Sequence, residues 1–136
     1  MPVVWPDDLQ FKADIPPIFD AVDADQEKTI ARIMRTGLVN SVEFVPDWSV
    51  TGAVTNNRTF TLFNRRSDGT GTTTMALLAL TSGTNLTRGV AATITLQSAA
   101  NRLVAVGDIL QWESLHVGSG LPDPGGQVIV QQTYTP

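Results

Sequence analysis

Proline, glycine and charge divide the chain near residue 27. Residues 1–27 contain four of the eight prolines and no glycine, whereas residues 28–136 contain all eleven glycines and many threonines, valines and leucines. The first segment holds seven acidic residues against one lysine, a net charge of about −6, and the remainder carries about +2. Because a segment so rich in proline cannot build its own core, the sequence predicts an extended acidic arm over 1–27 and a folded body over 28–136.

The arm nevertheless carries large apolar side chains, which favour burial. We therefore expect it to lie against a surface outside its own segment: its own body, a sister subunit or a larger assembly. The predicted anchors are Trp5, Phe11, Ile15, Ile18 and Phe19.

The body alternates short apolar stretches with turn residues, a pattern typical of a sandwich or barrel of antiparallel strands. Residues 23–35 fit either a short helix or a strand, and residues 75–80 also have helical propensity. We favour a hairpin of 28–34 with 38–45, and a second strand pair of 102–106 with 109–115. Further strands are predicted over 58–64, 72–80, 93–96 and 127–133. The predicted fold class is all-β, a β-sandwich or jelly-roll-like barrel with an extended N-terminal arm.

Composition excludes several functional classes. The chain of 136 residues is long enough for one domain with a real core, and it has no cysteine for disulfides or thiolate metal sites. A net charge of −4 disfavours nucleic-acid binding. No apolar run is long enough for a membrane span, and the N-terminus lacks the basic region of a secretory signal, so we expect synthesis in the cytoplasm without export.

No catalytic, metal or cofactor signature stands out. His116 is the only histidine, and Gly118-Ser119-Gly120 near it is not a nucleophile elbow. Residues 68–74 lack the lysine of a phosphate-binding loop, and residues 23–27 lack the glycine of a calcium loop. We interpret the carboxylates that could support acid–base chemistry as turn and surface residues. These are Glu43, Asp47, Asp108 and Glu113.

Trp48 and Trp112 allow two interpretations. Tryptophans can form a platform for a sugar ring, but single tryptophans in a β protein are more often core or interface anchors. An exposed platform would indicate a binding module.

The body, residues 28–133, resembles small β-sandwich proteins encoded among the structural genes of tailed bacteriophages, which serve as capsid decoration (cement) proteins or related virion components. Strands, turn glycines and one proline-rich loop carry the resemblance in a fixed order, and the arm is not part of it. The matching segments are Gly37–Pro46, Thr51-Gly52, Asn56–Phe60, Leu62–Asn64, Gly69–Gly71, Val106–Leu110 and Gly118–Val128.

The resemblance implies a non-enzymatic homotrimer, without cofactor, on the capsid exterior of a virion, where it clamps subunits of the major capsid protein. The arm would order on binding, and its acids would face basic groups of the capsid protein or a neighbouring body. The candidate charge partners are Asp7, Asp8, Arg65, Arg66 and Arg88. The same resemblance is compatible with a tail or fibre module that binds a host glycan or receptor.

Overall fold

The computed structural model describes residues 8–134, and only the backbone of Asp8. Strands account for 53% of the chain and helix for 3%, which confirms the all-β prediction. The strands are β1 (Asp8–Ile15), β2 (Gln26–Arg32), β3 (Gly37–Pro46), β4 (Asn57–Asn64), β5 (Thr73–Ala79), β6 (Ala92–Thr93), β7 (Thr95–Leu96), β8 (Leu103–Val104), β9 (Ile109–Val117) and β10 (Gly126–Tyr134); a single 3-10 turn covers Ala99–Arg102.

The strands form two antiparallel sheets, one of which curls into a half-barrel. The first sheet has the order β1-β10-β3-β6, with β8 also paired to β3. The second has the order β2-β9-β4-β5-β7. Side chains alternate between the core and the outer face along the central strands, as the burial of β9 shows.

An aromatic cluster lies where the two sheets meet. Phe44 belongs to the first sheet, whereas Phe60 and Trp112 belong to the second. Their ring centroids lie 5.2–5.5 Å apart, and all three side chains are fully buried. Each such contact adds about 0.5–1.5 kcal/mol to the stabilisation from area burial, so this cluster is a major link between the sheets.

Both predicted strand pairs are wrong, because the intervening turns carry the chain from one sheet to the other. Strand β2 pairs with β9 instead of β3, and β8 pairs with β3 instead of β9. The fully buried Ile33 follows β2, and its N–H donates to the carbonyl of Asp108 (2.7 Å). The carboxylate of Asp108 accepts hydrogen bonds from the N–H of Ala105 (3.0 Å) and the side chain of Asn64 (2.8 Å). These hydrogen bonds hold side by side the two connecting segments that pass from one sheet to the other. The bonds made by Ile33 and Asn64 join residues that are distant in sequence.

From residue 8 onward, the acidic segment lies on its own body. Strand β1 pairs with β10 along its whole length, from Asp8 opposite Thr133 to Ile15 opposite Gly126. Ile15 is buried and Phe11 packs against the core. Pro16 and Pro17 end the strand, because neither can donate a ladder hydrogen bond. Residues 26–32, which could have been helix or strand, form β2.

The strands run between the two ends of the sandwich, so the connecting segments collect at those ends. At the arm end, Asp8, Thr133, Leu38 and Leu103 lie opposite one another in one row. This end includes segments 33–36, 65–72 and 105–108. At the opposite end, which we call the Trp48 end, Ile15, Gly126 and Pro46 share a row. It includes segments 16–25, 47–56, 80–91 and 118–125.

A buried arginine fixes two segments of the Trp48 end. The side chain of Arg58 in β4 is fully buried. Its guanidinium donates to the carbonyls of Val22 (3.0 Å), Ala24 (2.8 Å) and Leu121 (2.8 Å), and to the hydroxyl of Ser114 (3.0 Å). Burial lowers the pKa of Arg58, and the charges of nearby aspartates oppose that shift. Arginine stays protonated in proteins, so the charge strengthens these bonds.

We predict that Arg58→Met destabilises the fold by roughly 3–5 kcal/mol, because it leaves several buried carbonyls without a donor. Urea unfolding followed by fluorescence measures the change. Arg66→Met, at a half-exposed side chain, is the matched control and should cost less than about 1 kcal/mol. Equal losses for the two variants would contradict a central role for Arg58.

Candidate functional site

An open groove lies beside an exposed tryptophan at the Trp48 end. This Trp48 groove has a volume of about 380 Å³. Its lining residues are Val45, Pro46, Asp47, Trp48, Arg88 and Gly89. A second cleft of about 300 Å³ lies between Trp48 and Phe19. Both volumes fall within or at the edge of the range of small-ligand sites, about 300–1,000 Å³.

The indole ring of Trp48 is held from two directions and is still 49% exposed. Phe19, which is 47% exposed, meets it edge to face, with ring centroids 5.7 Å apart. The guanidinium carbon of Arg88 lies 5.2 Å from the centroid of the indole. The ring therefore has a fixed orientation and a large accessible apolar surface.

Backbone hydrogen bonds between two loops fix the groove. Val50 and Leu86 exchange both N–H donations, at 2.9 and 2.8 Å. The N–H of Arg88 donates to the hydroxyl of Ser49 (2.9 Å), and the N–H of Gly89 donates to the carbonyl of Pro46 (2.9 Å). Trp48 and Arg88 thus lie on neighbouring, mutually bonded segments.

A buried aspartate positions Phe19. Ile18, which precedes Phe19 in the chain, exchanges two backbone hydrogen bonds with Asp123, at 2.8 and 3.0 Å. The fully buried carboxylate of Asp123 accepts from the N–H of Gly125 (3.0 Å) and the amide of Gln26 (2.8 Å). The segment that carries Phe19 is therefore tied to a rigid turn.

Two opposite charges flank the groove. Within residues 8–134, the carboxylate of Asp47 and the guanidinium of Arg88 form neither an ion pair nor a side-chain hydrogen bond. Asp47 therefore offers acceptors and Arg88 offers donors beside the apolar indole. This combination suits a ligand that has both an apolar face and hydroxyl groups.

The arm end has a different surface. Met34, Leu103 and Val106 are large aliphatic side chains that are exposed by 63%, 56% and 59%. Leu103 lies in the same row of strands as Asp8. The N–H of Gly107 donates to the carbonyl of Ile33 (2.7 Å), which brings the segments that carry Val106 and Met34 together.

The two ends also differ in charge. The segments of the arm end contain three arginines and two aspartates, and Arg32 is the last residue of β2 before segment 33–36; the five are Arg35, Arg65, Arg66, Asp68 and Asp108. The segments of the Trp48 end contain one arginine and five aspartates, and the guanidinium of Arg58 from β4 lies among these segments; the six are Arg88, Asp20, Asp23, Asp25, Asp47 and Asp123.

The predicted arm anchors have different environments. Ile15 and Phe11 contribute to the core, Ile18 is half-buried, and Phe19 contacts Trp48. Trp5 lies outside the described residues.

Among the predicted charge partners, Arg65 pairs with Glu113 (3.9 Å) and Arg66 with Asp108 (3.7 Å). Arg88 contacts Trp48. Asp7 and the side chain of Asp8 lie outside the part of the chain that the structure describes. Phe19 and Arg88 thus both contact Trp48. Asp47 lines the same groove as Trp48 and Arg88.

Two other sequence candidates, Trp112 and Asp108, are buried. Trp112 is fully buried, so it cannot form an exposed platform. Asp108, interpreted as a surface turn residue, is in the turn but buried. Its hydrogen bonds to Asn64 and Ala105, described above, account for that burial.

His116 is bonded to an aspartate at the surface of the Trp48 end. Its backbone N–H donates to Oδ1 of Asp25 (2.7 Å), and its Nδ1 lies 2.7 Å from the same oxygen. Desolvation raises the pKa of Asp25, but these hydrogen bonds outweigh it and hold the pKa below its ordinary value. The pair fixes the turn before β2 against β9.

Two glutamates oppose one another on the outer face of the second sheet. Glu27 of β2 and Glu113 of β9 are direct cross-strand neighbours. Desolvation, the hydrogen bond with Glu27 and the repulsion from its charge raise the pKa of Glu113, and Arg65 offsets part of the rise.

Within residues 8–134, no group of three histidine, aspartate or glutamate side chains is arranged to hold a metal ion. The same part of the chain contains no helix long and apolar enough to cross a membrane.

No protein-family model matches this sequence, and no curated protein or solved structure matches it significantly. The resemblance to phage decoration proteins therefore stays a prediction.

We predict that Glu113→Gln stabilises the protein at pH 7 by about 0.2–1 kcal/mol, the range for directly opposed cross-strand pairs. The pKa of Glu113 is raised in the fold. The wild-type carboxyl group therefore contributes stability below its unfolded pKa, and that contribution is lost as the pH rises through its folded pKa. The gain should therefore shrink as the pH falls towards 4. Thermal unfolding across this range measures it, and Glu43→Gln, opposite the uncharged Ile129 and Thr93, is the control. A gain independent of pH would contradict the repulsion.

Proposed function

We propose that this chain is a non-enzymatic virion structural protein that decorates and stabilises a tailed-phage capsid, and that its arm end docks onto the major capsid protein. The supporting observation is the exposed aliphatic set of Met34, Leu103 and Val106, with arginines around it. Exposed apolar side chains in one region are typical of interaction surfaces. Methionine and arginine are also among the residues enriched in interfaces.

The arm can contact the same partner as this surface. Strand β1 begins at Asp8, in the same row as Leu103. Trp5 precedes Asp8 by three residues, and so few residues span at most about 10 Å. The proposal assigns to Trp5 the role of an aromatic anchor, of the kind that dominates binding energy.

Trimerisation follows from the resemblance and belongs to the same proposal. Three linked bodies would engage neighbouring capsid subunits together, and avidity would strengthen a modest single contact. Exposed ion pairs made by the arm acids contribute only about 0–1 kcal/mol each, so the apolar contacts carry most of the affinity.

A second role is a tail or fibre module that binds a host glycan or receptor. The exposed ring of Trp48, in a groove with Asp47 and Arg88, favours it. Imaging of labelled chain on purified particles separates the two roles, since one predicts label over the head and the other predicts label on the tail.

We predict that Leu103→Ser, Met34→Ser and deletion of residues 1–7 each raise the chain concentration needed for half-occupancy of the capsid about tenfold or more, as expected for loss of about 1.4 kcal/mol. Undecorated particles are incubated with each purified variant, and bound chain is quantified by gel densitometry and cryo-electron microscopy. The deletion stops before β1, so it removes none of the described strands.

Val54→Ser is the matched control, because Val54 is 78% exposed and belongs to the Trp48 end. It should bind like the wild type. If the arm-end variants remain folded and occupy capsids as fully as Val54→Ser does, the proposed docking surface is wrong.

A further inference from the structure

We propose that the Trp48 groove is a carbohydrate-binding site for a neutral hexopyranose unit of a polysaccharide. The proposal concerns the Trp48 end and is independent of capsid docking at the arm end. It holds whether the chain lies on a head or on a tail.

The apolar part of the site is the indole of Trp48. A pyranose ring presents one face of C–H groups, which can pack on an aromatic ring while the hydroxyls point outward. The indole is half exposed, and its edge contact with Phe19 (5.7 Å) and its contact with Arg88 (5.2 Å) fix its orientation. A fixed platform loses little conformational entropy when a ligand binds.

The polar part consists of Asp47 and Arg88. Both line the groove together with Trp48. A sugar hydroxyl can donate to the carboxylate of Asp47 and accept from the guanidinium of Arg88, and hydrogen bonds to charged groups are among the stronger ones. Neither side chain has another hydrogen-bonding or ionic partner within residues 8–134, so no existing pair must be broken.

The charge of this end argues against an anionic ligand. Arg88 is the one arginine of the Trp48 segments, which also contain Asp20, Asp23, Asp25, Asp47 and Asp123. In the groove itself, a polyphosphate or nucleic acid would gain one cation, Arg88, and face the carboxylate of Asp47. A neutral, hydroxylated ligand meets a donor, an acceptor and an apolar surface at no such cost.

The site is built on connected backbone and does not require a partner to form. The loops that carry Trp48 and Arg88 are joined by the Val50–Leu86 pair and by the bond from the Arg88 N–H to Ser49. The groove lies at the opposite end from Asp8. Strand β1, with eight residues at about 3.3 Å each, separates the two ends by more than 20 Å. A polysaccharide and a capsid can therefore be bound together.

The test begins with the fluorescently labelled full chain on an array that carries neutral gluco-, galacto- and manno-oligosaccharides beside sialylated and uronic acid glycans. The neutral oligosaccharide retained most strongly is then titrated in solution by calorimetry. We expect Trp48→Ala to abolish detectable binding and Trp48→Phe to retain part of it. Asp47→Asn and Arg88→Gln should each weaken binding about tenfold. Val54→Ala should bind like the wild type, and thermal unfolding checks that every variant is folded.

Three results would overturn the proposal. They are retention of no neutral glycan, retention only of acidic glycans, and unchanged affinity in folded Trp48→Ala. Capsid occupancy measured with the same variants separates this inference from the proposed function. Trp48→Ala should lose the sugar and keep the capsid, whereas Leu103→Ser should lose the capsid and keep the sugar.

Discussion

The packing of Phe44 against Phe60 and Trp112 is the contact on which the rest of the molecule depends. It joins the two sheets through fully buried rings with centroids 5.2–5.5 Å apart. With the sheets face to face, each long strand runs from one end of the sandwich to the other. The connecting segments therefore collect at two separate ends, and each end acquires its own composition. The arginine-rich arm end and the aspartate-rich, aromatic Trp48 end are consequences of this arrangement.

Buried polar side chains then give each end a defined shape. At the Trp48 end, Arg58 holds the carbonyls of Val22, Ala24 and Leu121, and Asp123 holds the turn beside Phe19. At the arm end, Asp108 accepts hydrogen bonds from Asn64 and Ala105 and so fixes the segments that connect the two sheets. Because unpaired buried polar groups are costly, these bonds restrict the loops to one arrangement. Such restriction favours binding, since little entropy is lost when a partner arrives.

The acidic N-terminal segment links fold and function. Residues 8–15 are an edge strand of the body, and Ile15 is part of its core. Phe19, further along the same segment, contributes instead to the surface at the Trp48 end. One stretch of sequence thus contributes residues to the core, to a sheet edge and to an exposed aromatic pair. Its composition alone does not show which residue takes which of these places.

Local pattern was sufficient for the fold class and for most strands. Alternating apolar residues bounded by glycine and proline gave β3, β4, β9 and β10 nearly to their ends, because both signals act within a few residues. The aromatic residues identified Phe19 and Trp48 as separate candidates, and the family resemblance suggested Arg88. Tertiary structure alone decided which strands pair, and it placed β2 with β9 because the contact between Ile33 and Asp108 lies 75 residues apart in sequence. It also buried Trp112, exposed Trp48 and brought Asp47, Trp48, Phe19 and Arg88 to one groove, since burial and proximity are set by the packing of whole sheets and not by neighbours in the chain.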